Sequence, residues 1–170
     1  LYTLYAHLQR FNVQTGQQIS AGEQVGAVGD SGIALGPHLH FEVRVGDPYD
    51  YRNTRNPELW LRPYVDHGTL AGYATVAGVE PAQLEDERVV LLVRNAEQTR
   101  ETYAYEGTRV NSSVAWGENF VLGDLPAGDY EVIVSTRLGR IRFHQQITIE
   151  SERTTWLEVP LDACPDDACF

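Results

Sequence analysis

The residues with the most chemical potential lie in Gly36-Pro37-His38-Leu39-His40-Phe41-Glu42-Val43-Arg44-Val45. This stretch alternates strictly between polar and apolar types, which is the period of a β-strand. His38, His40, Glu42 and Arg44 fall on one face; Leu39, Phe41, Val43 and Val45 fall on the other. Imidazoles at i and i+2 project the same way, so both can converge on one metal ion or one reacting group. Gly36-Pro37 marks a turn into the strand. The apolar face is expected to pack on a core. A bare His-x-His pair also suits a half-buried strand whose polar face meets solvent, and it is the flanking residues that favour chemistry.

Those flanking elements must position the two rings. Residues 1–8 read as a strand, with Thr3, Tyr5 and His7 on one face. Thr15-Gly16 and Ala21-Gly22 read as turns, with short extended pieces at 17–19 and 24–28. Gly29-Asp30-Ser31-Gly32 is a dense turn signal just before the histidine strand. After it, Asp47-Pro48 opens a polar stretch. Asn56-Pro57-Glu58-Leu59-Trp60-Leu61 then reads as one helical turn, with Asn56 as N-cap and Pro57 at the first position.

In this order the pieces resemble the C-terminal half of the lysostaphin/LytM-type zinc metallopeptidases, which cut peptidoglycan. The motifs that carry the resemblance are Tyr5-Ala6-His7-Leu8, the glycine-punctuated run through Val25-Gly26-Ala27-Val28-Gly29, Ser31-Gly32, and Gly36-Pro37-His38-Leu39-His40-Phe41-Glu42. Asn56-Pro57 and Trp60-Leu61 close it, so it extends over residues 1–63. The resemblance implies that His40 binds Zn2+, and that His38 and His7 act on the substrate and the bound water. It also implies two further zinc ligands in an upstream His-x₃-Asp motif. The six residues before His7 hold no such pair. One ligand cannot hold a catalytic zinc, which keeps three protein ligands, so the chain taken alone is expected to be inactive. His67 and His144 lie outside the resembling region and read as ordinary surface or interface histidines.

Composition bounds the rest. The chain has 170 residues, 42% of them hydrophobic, which is enough for one or two small globular domains. A net charge of −11 argues against a nucleic-acid partner, since phosphate binding needs basic patches. No apolar run is long enough to cross a membrane. There is no Met, and residues 1–8 look like the middle of a β domain, so the chain is expected to be a fragment or processed product. Cys164 and Cys169, near the end, could close a small disulfide loop in an oxidising compartment, remain free, or link to another chain.

Pro63-Tyr64-Val65-Asp66-His67-Gly68 reads as a linker. Beyond it, strands are expected at 69–76, 88–93, 99–105, 119–122, 129–135, 140–149 and 154–159, a pattern that suggests a β-sandwich over 66–162, with 163–170 as a Cys-containing tail. Leu125-Pro126-Ala127-Gly128-Asp129-Tyr130 resembles the transthyretin-type, carboxypeptidase-regulatory-like sandwiches. Phe120, Tyr130, Val132 and Val134 are the expected core residues. Tyr103 and Tyr105 share a strand face and could stack on a sugar, although aromatic core and cross-strand packing is the commoner role of such a pair. Trp116 lies near a loop. Asn111-Ser112-Ser113 matches a glycosylation sequon. Glu85-Asp86-Glu87 reads as a solvated loop.

The expected fold class is therefore all-β: a partial lysostaphin-type peptidase sheet followed by a β-sandwich. The expected function is zinc-dependent hydrolysis of peptidoglycan peptides, extracellular or periplasmic, with the missing N-terminal part as a possible separate partner chain. The alternative is a non-catalytic envelope or extracellular protein that uses the same folds as scaffold or adhesion module.

Overall fold

The structure is a computed structural model that describes residues 1–80, 89–105, 110–136 and 138–163. The acidic run at 85–87 and both cysteines lie outside the described residues. Among the described residues the chain is all-β, with no α-helix. Its strands are β1 (Tyr2–Ala6), β2 (Leu8–Phe11), β3 (Gly26–Val28), β4 (His40–Arg44), β5 (Thr54–Arg55), β6 (His67–Val76), β7 (Val90–Arg94), β8 (Thr99–Tyr103), β9 (Phe120–Pro126), β10 (Gly128–Ser135), β11 (Ile141–Ile149) and β12 (Thr154–Leu161). Two single 3-10 turns, Tyr51–Asn53 and Pro57–Leu59, interrupt them. Asn56 caps the second through a bond from the Glu58 N–H, and Pro57 sits at its start, as its sequence dictates.

Four sheets result: β1-β4-β5, β2-β3, β12-β6-β9 and β11-β10-β7-β8. The last two share one apolar core. Alternate residues of β10 (Tyr130, Val132, Val134) and of β12 (Leu157, Val159, Leu161) point into it, together with Phe120, Leu70, Leu91 and Val93. Period-2 patterning therefore located the inward face correctly, and Phe120, Tyr130, Val132 and Val134 are all buried. β12 pairs with β6 in parallel, whereas β6 and β9 are antiparallel.

The other face of β6 and β9 is covered as well. Ala71, Val121 and Tyr105 form a second small cluster, against which Leu59 and Val110 pack. Leu59 belongs to the 3-10 turn that follows β5, so the chain leaving the histidine-bearing sheet docks directly on this face. Polar bonds reinforce the docking. Gly123 donates its N–H to Glu58 Oε2 (2.6 Å), and Asn111 Nδ2 donates to the carbonyls of Arg52 (2.7 Å) and Thr54 (3.1 Å). The sequon asparagine thus has its amide hydrogen-bonded to two backbone carbonyls.

Tyr105 corrects a second expectation. It is 5% exposed while Tyr103 is 65% exposed, so the two do not form a sugar-stacking pair. β8 ends at Tyr103, and beyond the strand the two side chains no longer share a face. The Tyr105 hydroxyl donates to Glu118 Oε1 (3.0 Å), and Glu118, fully buried, also accepts from the Ser113 N–H (3.0 and 3.1 Å). Burial, reinforced by the Glu118 charge, pushes the Tyr105 phenol far above its ordinary value. A raised acid pKa stabilises the fold below the unfolded value of about 10 and is lost as pH rises beyond it. Wild type should therefore lose stability above about pH 10 faster than Tyr105→Phe, by denaturant titration across that range. At neutral pH the same variant should be about 1–3 kcal/mol less stable, because Glu118 loses a donor. Parallel alkaline slopes for the two proteins would refute this.

The short N-terminal sheet departs from expectation in three places. The extended piece at 17–19 is not a strand. The expected strand 1–8 breaks at His7, which adopts a left-handed backbone (φ 59°) between β1 and β2. The histidine strand begins at His40, with His38 held by a single bridge to Gly29. Its apolar face is also less covered than alternation implied. Val43 is buried, but Leu39 and Val45 are 48% and 36% exposed, and Val43 joins neither of the two core clusters.

Candidate active site

β1 and β4 pair antiparallel, with Tyr5 opposite Phe41 and Ala6 opposite His40. The Tyr5 and Phe41 rings lie 5.2 Å apart and pin this register. His7 therefore leaves β1 level with the entry to β4, where the two strand histidines stand. Its left-handed backbone, of a kind that costs about 1–3 kcal/mol and persists only where the surroundings impose it, breaks the strand there. The ring then packs against both others: centroids lie 4.7 Å from His38 and 5.6 Å from His40. The i and i+2 imidazoles do share a side, and the third histidine singled out in the sequence joins them.

Hydrogen bonds fix the protonation of two rings. His7 Nδ1 is 2.8 Å from the Ser31 carbonyl, supplied by the Gly29-Asp30-Ser31-Gly32 turn, and His38 Nδ1 is 2.8 Å from the Gly36 carbonyl. A carbonyl only accepts, so each Nδ1 carries the proton and each Nε2 keeps a lone pair. In the neutral ring it is therefore Nε2 of each that is left without a proton.

His40 is held the other way. Its Nε2 lies 2.7 Å from Glu42 Oε1. Arg44 approaches the other oxygen, Oε2, with Nε at 2.7 Å and a terminal guanidinium nitrogen at 2.6 Å. Burial pushes the Glu42 carboxyl up, but the bonds and charges of Arg44 and then His40 outweigh it and hold it below the ordinary carboxylate value. Alternation had placed Glu42 and Arg44 on the histidine face; that Glu42 would be buried there was not visible in the residue types.

The remaining histidines stand apart from this cluster. His67 opens β6 and contacts Tyr64, and His144 on β11 faces Glu131 at 3.8 Å. Trp116 stacks on Trp156 at 6.2 Å. A cavity of about 610 Å³ lined by Arg94, Asp129, Glu131 and Gln146 involves none of the three clustered rings.

Among the described residues no group of three or more His, Cys, Asp or Glu could hold a metal ion. The three clustered rings do not amount to such a group. The described residues thus do not fit a complete catalytic zinc centre.

Residues 1–54 match the model of Peptidase family M23. Over 57 residues the chain is 42% identical to the peptidoglycan DD-endopeptidase ShyC of Vibrio cholerae, covering 34% of this chain and 13% of that protein. It is 34% identical over 58 residues to the glycyl-glycine endopeptidase ALE-1 of Staphylococcus capitis, covering 34% and 16%. It is 49% identical over 47 residues to the DD-carboxypeptidase/endopeptidase Mpg of Neisseria meningitidis, covering 27% and 11%. The chain spans only a small part of the length of each of these relatives. The family match stops before Asn56-Pro57 and Trp60-Leu61, and the β-rich region that follows is unassigned. The match to this family is confined to residues 1–54, which hold all three clustered imidazoles.

Proposed function

We propose that the chain is part of a zinc-dependent endopeptidase that hydrolyses peptide bonds of bacterial peptidoglycan, in the periplasm or outside the cell. The observation that carries this reading is the convergence of His7, His38 and His40 inside the residues that match the peptidase family. His7 and His38 are the proton carriers: the free Nε2 of either can take a proton from the attacking water and return it to the leaving amine. His40 is the metal ligand. The other donors of the centre come from outside the described residues, on this protein or on a partner chain.

The two larger sheets, residues 66–162, form a second unit of the transthyretin, carboxypeptidase-regulatory-like type. Its role is support: the face of β6 and β9 receives the 3-10 turn at Pro57–Leu59 and so anchors the end of the peptidase segment. In a second reading the peptidase fold serves as a non-catalytic envelope scaffold.

Metal analysis separates the two readings. The protein as its gene encodes it should retain stoichiometric zinc after dialysis, and His40→Ala should lose it. Stoichiometric zinc in His40→Ala would remove His40 from the ligand set, and an encoded protein without zinc would favour the scaffold.

A further inference from the structure

We propose that Glu42 is a positioning residue for His40, dictating which ring nitrogen carries the proton, and that Arg44 locks Glu42 in that task. The proposal rests on the reading above, in which His40 acts through a ring lone pair. His40, Glu42 and Arg44 occupy positions i, i+2 and i+4 on one face of β4, so each side chain meets the next along the strand. An ionised carboxylate only accepts hydrogen bonds. With Glu42 Oε1 at 2.7 Å, His40 Nε2 must donate, and the lone pair is left on Nδ1.

The carboxylate cannot easily turn away. Its second oxygen takes two donors from Arg44, and a third Arg44 nitrogen donates to the Pro48 carbonyl at 2.6 Å. Glu42 is 8% exposed and the Arg44 side chain 13%, so water competes little for these bonds. The outcome is a site of mixed tautomers: His7 and His38 carry the proton on Nδ1 and His40 carries it on Nε2. A strand face that merely met solvent would not require a buried ion pair behind one of its histidines.

The test is ring-nitrogen NMR on the 170-residue chain at about pH 8, above the ordinary imidazole pKa of about 6.5. Wild type should show His40 with a protonated Nε2 and a bare Nδ1, and His7 and His38 with the reverse. Glu42→Gln keeps the shape but changes the demand. Arg44 has only donors, so it claims the amide oxygen and turns the amide NH₂ toward His40. The His40 proton should then move to Nδ1 while His7 and His38 stay unchanged. In Glu42→Ala both His40 nitrogens should shift to the averaged values of exchanging tautomers.

A wild-type His40 protonated on Nδ1, or already averaging, overturns the proposal without any variant. So does a His40 unchanged in Glu42→Gln or in Glu42→Ala with amide dispersion retained. The spectra need neither metal nor substrate, so their failure is distinct from a failed peptidoglycan digestion.

Discussion

His38→Ala in the encoded protein should lower peptidoglycan hydrolysis about 10²–10⁴-fold, the usual contribution of a positioned acid or base, while leaving fold and zinc content unchanged. The fold should survive because the His38 ring is exposed and its one hydrogen bond is to the neighbouring Gly36 carbonyl. Substitutions at such positions usually change stability by no more than about 0.5 kcal/mol. Zinc should survive because the proposed ligand is His40. His7 calls for a different substitution. Its left-handed backbone would penalise alanine, whereas asparagine tolerates that region. His7→Asn should therefore show a loss of similar size without the added folding cost. Near-normal turnover, measured by release of soluble muropeptides, would strip either residue of its role.

Gly72→Ala is expected to be the most damaging single methyl addition in the larger sheets. Gly72 lies on β6 between two partners, opposite Leu157 on β12 and Phe120 on β9. A Cβ built there falls on the Leu157 carbonyl, well inside contact distance, and also comes within 2.5 Å of the Phe120 ring. The carbonyl is backbone and cannot swing aside, and Phe120 is fully buried in the core. Either the β6–β12 pairing opens or Phe120 is displaced. Overpacking typically costs about 1–3 kcal/mol and occasionally more; with both neighbours fixed, about 3 kcal/mol or more is expected, against a total stability of about 5–15 kcal/mol. Gly123→Ala is the control, since its new Cβ would meet the flexible Glu58 side chain at 3.4 Å. Thermal unfolding should show a large drop for the first variant and little change for the second. Equal melting temperatures would mean that β6 and β12 do not pair as described.

What could be read from the sequence was what local periodicity encodes. Alternation placed Tyr130, Val132 and Val134 on the core side of β10 and set His38 and His40 on one side, where both meet the His7 ring. The asparagine-proline cap signalled the 3-10 turn at Pro57–Leu59. Features decided by long-range contact could not be read this way. The left-handed break at His7 comes with a ring bond to the Ser31 carbonyl 24 residues away. The burial of Tyr105 depends on Glu118, and the commitment of the Asn111 amide depends on the carbonyls of Arg52 and Thr54. Leu39 and Val45 show the converse: alternation assigns a side chain to a face but does not say whether another layer covers that face.

The most direct test of the account is a side-by-side digestion of purified peptidoglycan by the encoded protein and by residues 1–170, each with and without a chelator. The account predicts peptide-bond cleavage by the encoded protein, abolished by the chelator, and none by residues 1–170, whose described part supplies the proton carriers without a complete ligand set. Chelator-sensitive cleavage by residues 1–170 alone, or no cleavage by the encoded protein, would contradict it.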